Sequence, residues 1–117
     1  MGQQVNPQRI KHIVSTYQLA GEDAFVFNRA LDDWLGVYVA PLIELALVET
    51  LVDGWLTVPM PRGLKFLHRV QERLLSWESQ PIISTLTPAQ FHQITGLDPA
   101  PIFGNNGAPL TRIKVQG

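Results

Sequence analysis

Two carboxylates, Glu44 and Glu49, lie in the most apolar stretch of this 117-residue chain, residues 37–52. A carboxylate on an apolar helix must be paired, hydrogen-bonded or protonated when it is buried. Two such groups can serve as general acid and base, or supply half of a di-metal site. The di-metal helical bundles also use a Glu-x-x-His motif on two helices, and this chain contains none. The alternative is an interhelical ion pair with one of three arginines: Arg29, Arg69 or Arg73.

Other reactive groups are few. The three histidines, His12, His68 and His92, fall on different predicted helices, so no two of them have the spacing of metal ligands within one helix. Cysteine is absent, the serines lie outside any nucleophile-elbow pattern, and no glycine-rich phosphate loop occurs. We therefore assign no catalytic residue and no metal ligand, and we expect no cofactor.

Four cations, Arg62, Lys65, Arg69 and Arg73, are spaced by three, four and four residues, which places them within roughly 80° of arc on one helix. We call these four residues the cationic stripe. They could bind phosphate groups or an acidic partner. The aromatic side chains expected at the edge of the stripe could add stacking or cation–π contacts: Phe66 and Trp77.

The cationic stripe also has a structural explanation. Residues 22–53 carry seven carboxylates against the single Arg29, so this acidic segment could pair with the stripe inside the molecule. The stripe could equally be a solvated helix face. Four cations without a basic tail are few for binding nucleic acid, because four phosphate contacts predict a salt slope of only about −3 to −4.

Residues 88–97 resemble the first helix and the glycine-containing turn of a helix-turn-helix. The residues that follow argue against that motif, since Asp98, Pro99 and Pro101 are poorly suited to a recognition helix. No lysine or arginine occurs between Arg73 and Arg112. The ordinary interpretation is a capped helix that docks its apolar side chains on the core.

Helices position all these groups. The spacing of apolar residues and the capping signals predict five helical segments, at about 7–19, 24–35, 39–53, 62–79 and 88–95. Gly36 and Pro41 mark a kink or a break between the second and the third segment. After Leu97 the prolines and glycines predict a loop-like course. The core or an interface is expected to contain seven residues: Trp34, Leu45, Val48, Trp55, Leu67, Val70 and Leu74.

Length and composition bound the fold. A chain of 117 residues supports one domain, and we assign residues 1–104 to a single all-α domain, a small bundle of four to five helices. Residues 105–117 are predicted to form a flexible or hairpin-like tail, with Asn106-Gly107 as a candidate turn. The polar residues 1–7 lack the apolar core of a signal peptide, so we expect a cytoplasmic protein that does not enter a membrane.

Hydrophobic residues make up 45% of the chain and charged residues only 16%. Because about a quarter of a soluble domain is ordinarily charged, part of the apolar surplus is expected to face another subunit. The leading hypothesis is a non-catalytic protein–protein interaction module that is homo-oligomeric. The alternative is a nucleic-acid-associated regulator that uses the cationic stripe of helix 62–78. A small-molecule or enzymatic role around Glu44 and Glu49 comes third.

Overall fold

The computed structural model describes residues 8–55, 62–80, 82 and 86–103. Within these ranges the chain forms six α-helices and no β-strand, which confirms the expected all-α fold. The helices in chain order are α1 (Gln8–Thr16), α2 (Ala24–Leu35), α3 (Ala40–Gly54), α4 (Leu64–Ser79), α5 (Pro88–Thr95) and α6 (Ala100–Phe103).

The central element is α3, which contacts α1, α2, α4 and α6. Eleven of its fifteen residues are buried, including Leu42, Ile43, Leu45, Leu47 and Val48. A helix that is apolar on every side can hide its surface only by being surrounded by other elements. The even distribution of apolar residues along residues 37–52 therefore fixes α3 as the axis of the bundle.

The helices around α3 are amphipathic, and each turns one apolar stripe inward. Ile10, Ile13 and Val14 of α1 are buried, as predicted from their spacing. Phe27 of α2 stacks on Phe66 of α4, with ring centroids 6.2 Å apart and planes at 24°, so these two helices meet through aromatic side chains.

The predicted interruption near Gly36 and Pro41 is a break between two helices, not a kink within one. Helix α2 ends at Leu35, and α3 begins at Ala40 with Pro41 in its first turn. Proline is well tolerated there because the amide hydrogen that it lacks would have no partner within the helix.

The C-terminal part of the described chain differs from the expected loop. Helix α5 begins with a capping box between Thr87 and Gln90, and Gly96 ends it in the left-handed conformation at φ +74°. The short α6 then follows, and its Ile102 and Phe103 are buried. The prolines of this segment limit the length of α6, but they do not prevent two large apolar side chains from joining the core.

The residues expected in the core or an interface differ in their burial. Trp34 and Leu67 are half-buried, whereas Trp55 is 47% exposed and lies outside the core, so of its two expected places, the core and an interface, the core is wrong. The predicted tail, residues 105–117, lies outside the described residues. The assignment of residues 1–104 to one domain stays a prediction, although the buried side chains of the described ranges form one hydrophobic cluster.

Candidate functional site

The start of α4 determines where the cationic stripe lies. Gly63 precedes the helix with φ +63°, and its amide donates to Leu19 O at 2.7 Å. The Asp23 carboxylate accepts a hydrogen bond from Leu64 N at 3.2 Å. A Cβ added to Gly63 would lie only 2.3 Å from Asp23 Oδ2, so glycine is required by both conformation and space. Asp23 thus stands at the start of α2, but its side chain makes no capping hydrogen bond there and accepts one from α4 instead.

Because α4 begins at Leu64, the four cations of the cationic stripe have different environments. Arg62 precedes α4 and lies against the turn at Gly21, with its Cβ 3.5 Å from the position that a Cβ of Gly21 would occupy. Arg73 forms an ion pair with Asp53 and donates from Nε to Thr50 Oγ1 at 3.3 Å. Lys65 and Arg69 are exposed, and neither forms an ion pair within the described part of the chain. The acidic segment therefore captures Arg73 and leaves Lys65 and Arg69 facing solvent.

The aromatic side chains expected beside the stripe point inward. Phe66 is fully buried against Phe27, and Trp77 is 6% exposed. Neither ring presents a face on which a base could stack. Both residues lie on α4 as predicted. The rotation of 100° per residue along the helix places Phe66 and Trp77 on the side that faces the core.

The exposed side of α4 forms a distinct surface, which we call the outer face of α4 and define by Leu64, Lys65, His68, Arg69, Glu72 and Leu75. Leu64 and Leu75 are 50% and 54% exposed. His68 Nε2 lies 3.4 Å from Glu72 Oε2 one turn later, and both side chains are largely exposed. A shallow depression lies between the first five of these residues. No element of the described chain covers this face, which combines two large apolar groups with unneutralised cations.

The first of the two apolar-helix carboxylates, Glu44, is 2% exposed and has a partner that the sequence did not reveal. Arg9 of α1 donates from Nε to Glu44 Oε1 at 2.9 Å. The expected partners, Arg29, Arg69 and Arg73, are therefore wrong for this residue. Burial raises the pKa of Glu44 above its ordinary value, and the hydrogen bond and charge of Arg9 only partly oppose that shift. Glu49 is also buried, at 3% exposure.

Arg9 belongs to a set of three side chains, in and just after α1, that hydrogen-bond to the C-terminal end of α5 and the residues that follow it. Its Nη2 donates to Asp98 O at 2.6 Å, His12 Nε2 donates to Thr95 O at 3.0 Å, and the Tyr17 hydroxyl donates to Ile94 O at 2.7 Å. These acceptors include carbonyls that have no partner within the helix at its C-terminal end. The set satisfies those groups, so the polar side of α1 has a structural role.

Two sequence features remain: His92 and the segment 88–97, which resembles the start of a helix-turn-helix. His92, in the last turn of α5, has its Nδ1 3.1 Å from Leu97 O just after the helix, and no group of three metal-ligating side chains occurs among the described residues. In the segment that resembles a helix-turn-helix, α6 has only four residues and its Ile102 and Phe103 are buried. Such a helix cannot present a reading face to a DNA groove.

Comparison with known proteins adds no assignment: no family model, curated protein or solved structure matches this chain significantly. Within the ranges that the structure describes, no helix has the length and apolar character needed to cross a bilayer. Function must therefore be argued from the surfaces of the molecule.

Proposed function

We propose that this protein is a non-catalytic interaction module that forms homo-oligomers and uses the outer face of α4 as its contact surface. The observation that carries the proposal is the pairing of two half-exposed leucines with the exposed cations Lys65 and Arg69 on a helix face that no described element covers. Apolar groups framed by charged ones are the usual composition of a contact surface between proteins.

A partner that covers the outer face of α4 would bury Leu64 and Leu75. Covering a large aliphatic side chain stabilises a complex by about 1.5–3 kcal/mol when it was fully exposed, and about half as much for Leu64 and Leu75. The cations contribute mainly to orientation and to the rate of encounter. A modest, salt-sensitive association is the expected result.

Sedimentation of the full-length protein from about 1 to about 500 µM tests this proposal. We expect the average mass to rise with concentration for the wild type and to stay monomeric for the double variant Leu64→Glu/Leu75→Glu. Val26→Glu is the matched control, because Val26 is 49% exposed and lies on α2. A wild type that is monomeric throughout, and that retains no partner in cross-linking from its native host, would contradict the proposal.

Nucleic-acid-associated regulation is the second candidate, supported by the exposure of Lys65 and Arg69. Glu72 lies between them and the end of the helix, and it would oppose phosphate binding. Titration with short DNA and RNA at two salt concentrations distinguishes the candidates. Binding at low salt that is lost in Lys65→Glu/Arg69→Glu would favour this function, whereas no binding at low salt would end it.

A small-molecule or enzymatic role around Glu44 and Glu49 receives no support from the geometry. Glu44 is already bonded to Arg9, and neither carboxylate lines the depression on the outer face of α4 or the two other surface depressions formed by described residues. The cytoplasmic location remains part of the proposal, and fractionation of native cells tests it.

A further inference from the structure

The outer face of α4 is complementary to a second, antiparallel copy of itself. On a helix with 100° per residue, Leu64, His68, Glu72 and Leu75 lie within roughly 80° of arc, opposite the buried Phe66, Val70, Leu74 and Trp77. About 16 Å separates Leu64 from Leu75 along the axis. Along the helix this arc carries a leucine, a histidine, a glutamate and a leucine, and the cations Lys65 and Arg69 flank it on the side of Glu72.

A twofold axis through the middle of this stripe brings unlike charges and like apolar groups together. Two antiparallel copies aligned at their centres place Leu64 beside Leu75 of the second copy, and the same contact occurs a second time by symmetry. At 1.5 Å per residue Glu72 then lies level with Leu67 of the second copy, within about 1.5 Å along the axis of its His68 and about 3 Å of its Lys65 and Arg69. Each of these contacts also occurs twice.

We infer that the partner of the outer face of α4 is a second copy of this chain, packed with α4 antiparallel to its symmetry mate. This inference rests on the proposed function and identifies the partner of the same surface. The argument for a second copy is charge complementarity: a basic patch alone would fit many acidic partners, but a face on which the twofold axis brings Glu72 beside Lys65 and Arg69 of the second copy fits itself.

The size of the surface sets the expected affinity. One face of a four-turn helix buries less than the roughly 800 Å² per partner of a standard interface. The dimer is therefore expected to dissociate in the range of about 100 µM, and its formation is expected to depend on salt because Arg69 and Glu72 remain near solvent.

A charge-exchange series tests the contacts on the full-length protein. In Arg69→Glu the two Arg69–Glu72 pairs become two repulsive pairs, and we expect dimerisation to weaken by at least about tenfold. Glu72→Arg should weaken it similarly. The double variant Arg69→Glu/Glu72→Arg restores unlike charges and should return to within about threefold of the wild type. Circular dichroism confirms that each variant, altered only at exposed positions, is folded.

The absence of cysteine from the sequence allows the orientation to be tested directly. Leu64→Cys and Leu75→Cys proteins are mixed in a glutathione redox buffer, with Val26→Cys as control. The antiparallel dimer predicts that the mixed disulfide between positions 64 and 75 dominates. Dominant 64–64 and 75–75 disulfides would overturn the inference, because they require parallel helices.

Other outcomes separate this inference from the proposed function. A dimer whose dissociation constant is unchanged in both Arg69→Glu and Leu75→Glu overturns the antiparallel α4 contact but leaves homo-oligomerisation standing. Occupation of the face by a nucleic acid, seen as binding that Leu75→Glu abolishes while the free protein stays monomeric, overturns the second copy as partner. A protein that is monomeric at all concentrations and has no partner overturns both.

Discussion

At the scale of single residues, Glu44 is a carboxyl group that the fold removes almost completely from water. Its charge is opposed by burial and supported by one arginine from a distant helix, Arg9, which is itself 21% exposed. Removing one member of such a pair leaves the other without compensation, whereas replacing both with apolar groups can be nearly neutral.

Arg9→Met is expected to lower the free energy of unfolding by about 2–4 kcal/mol, because Glu44 loses its hydrogen-bonding partner while it stays buried. The double variant Arg9→Met/Glu44→Leu is expected to recover most of that loss. Urea denaturation of the three proteins gives the values. Equal destabilisation of the single and the double variant would show that Arg9 acts mainly through its bond to Asp98 O.

The pH dependence of stability follows from the raised pKa of Glu44. Because the folded state holds this proton more tightly than the unfolded state, the contribution is fully present below the unfolded pKa, near 4.5, and is lost as the pH rises through the folded value. We therefore expect the wild type to lose stability relative to Glu44→Gln as the pH rises from about 4 to neutrality. Urea midpoints that stay parallel across this range would contradict it.

Tyr38 gives a spectroscopic prediction at the same scale. Burial and the hydrogen bond that it donates to Glu78 raise its pKa from 10.0 to about 12. Since the raised pKa belongs to the folded state, this contribution to stability disappears as the pH rises from about 10 to about 12. Absorbance at 295 nm should show a phase near pH 12 that Tyr38→Phe removes and Glu78→Gln shifts to lower pH.

At the scale of elements, the start of α4 requires glycine at position 63, because a side chain there would meet Asp23 at the start of α2. Gly63 adopts a positive φ, and Asp23 from the start of α2 fills the space in which a side chain would lie. Helices α2 and α4 are thus in contact at their N-terminal ends, and the stack of Phe27 on Phe66 forms a second contact between them.

Gly63→Ala is expected to destabilise the protein by about 1–3 kcal/mol, through backbone strain and displacement of Asp23. Gly36→Ala is the matched control. Gly36 has φ −81°, and its added Cβ would make an ordinary contact of 3.4 Å with Asp33 O. Thermal denaturation should separate the two by several degrees. Equal melting temperatures would refute the requirement for glycine at position 63.

At the scale of the whole molecule, side chains in and just after α1 hold α5 on the bundle. His12 and Tyr17 donate to carbonyls at the end of α5, and Phe91 packs edge-on against Phe103 of α6 with centroids 6.2 Å apart. Polar contacts between residues about eighty positions apart therefore join the N-terminal segment of the described chain to α5, and the aromatic contact joins α5 to α6.

His12→Ala/Tyr17→Phe is expected to increase hydrogen exchange in α5 and α6 by about tenfold, while the amides of α4 keep their protection. Hydrogen–deuterium exchange followed by mass spectrometry reads both regions in one experiment. A uniform increase over all helices would mean that these contacts contribute to global stability and do not hold α5 and α6 locally.

How much of this could be predicted is clearest from particular elements. The bounds of α2 follow from its apolar spacing, and those of α5 from Thr87-Pro88 and Gly96, because propensity and capping act within a few residues. Helix α6 was not predicted, because the prolines of this segment indicated a loop. Its helical state depends on the burial of Ile102 and Phe103, which the local sequence does not show. The Leu64 and Leu75 surface was missed for a similar reason: exposure depends on which neighbours are present.

The sequence by itself determined the all-α class, the central position of α3 and the inward stripes of α1 and α4, because hydrophobic periodicity is a local property of the chain. Only the tertiary structure decided the partners of the charges. Glu44 forms an ion pair with Arg9, and Arg73 forms one with Asp53. Lys65 and Arg69 stay exposed. Ion pairing depends on distances of a few ångströms between residues far apart in sequence, and packing of the whole bundle sets those distances.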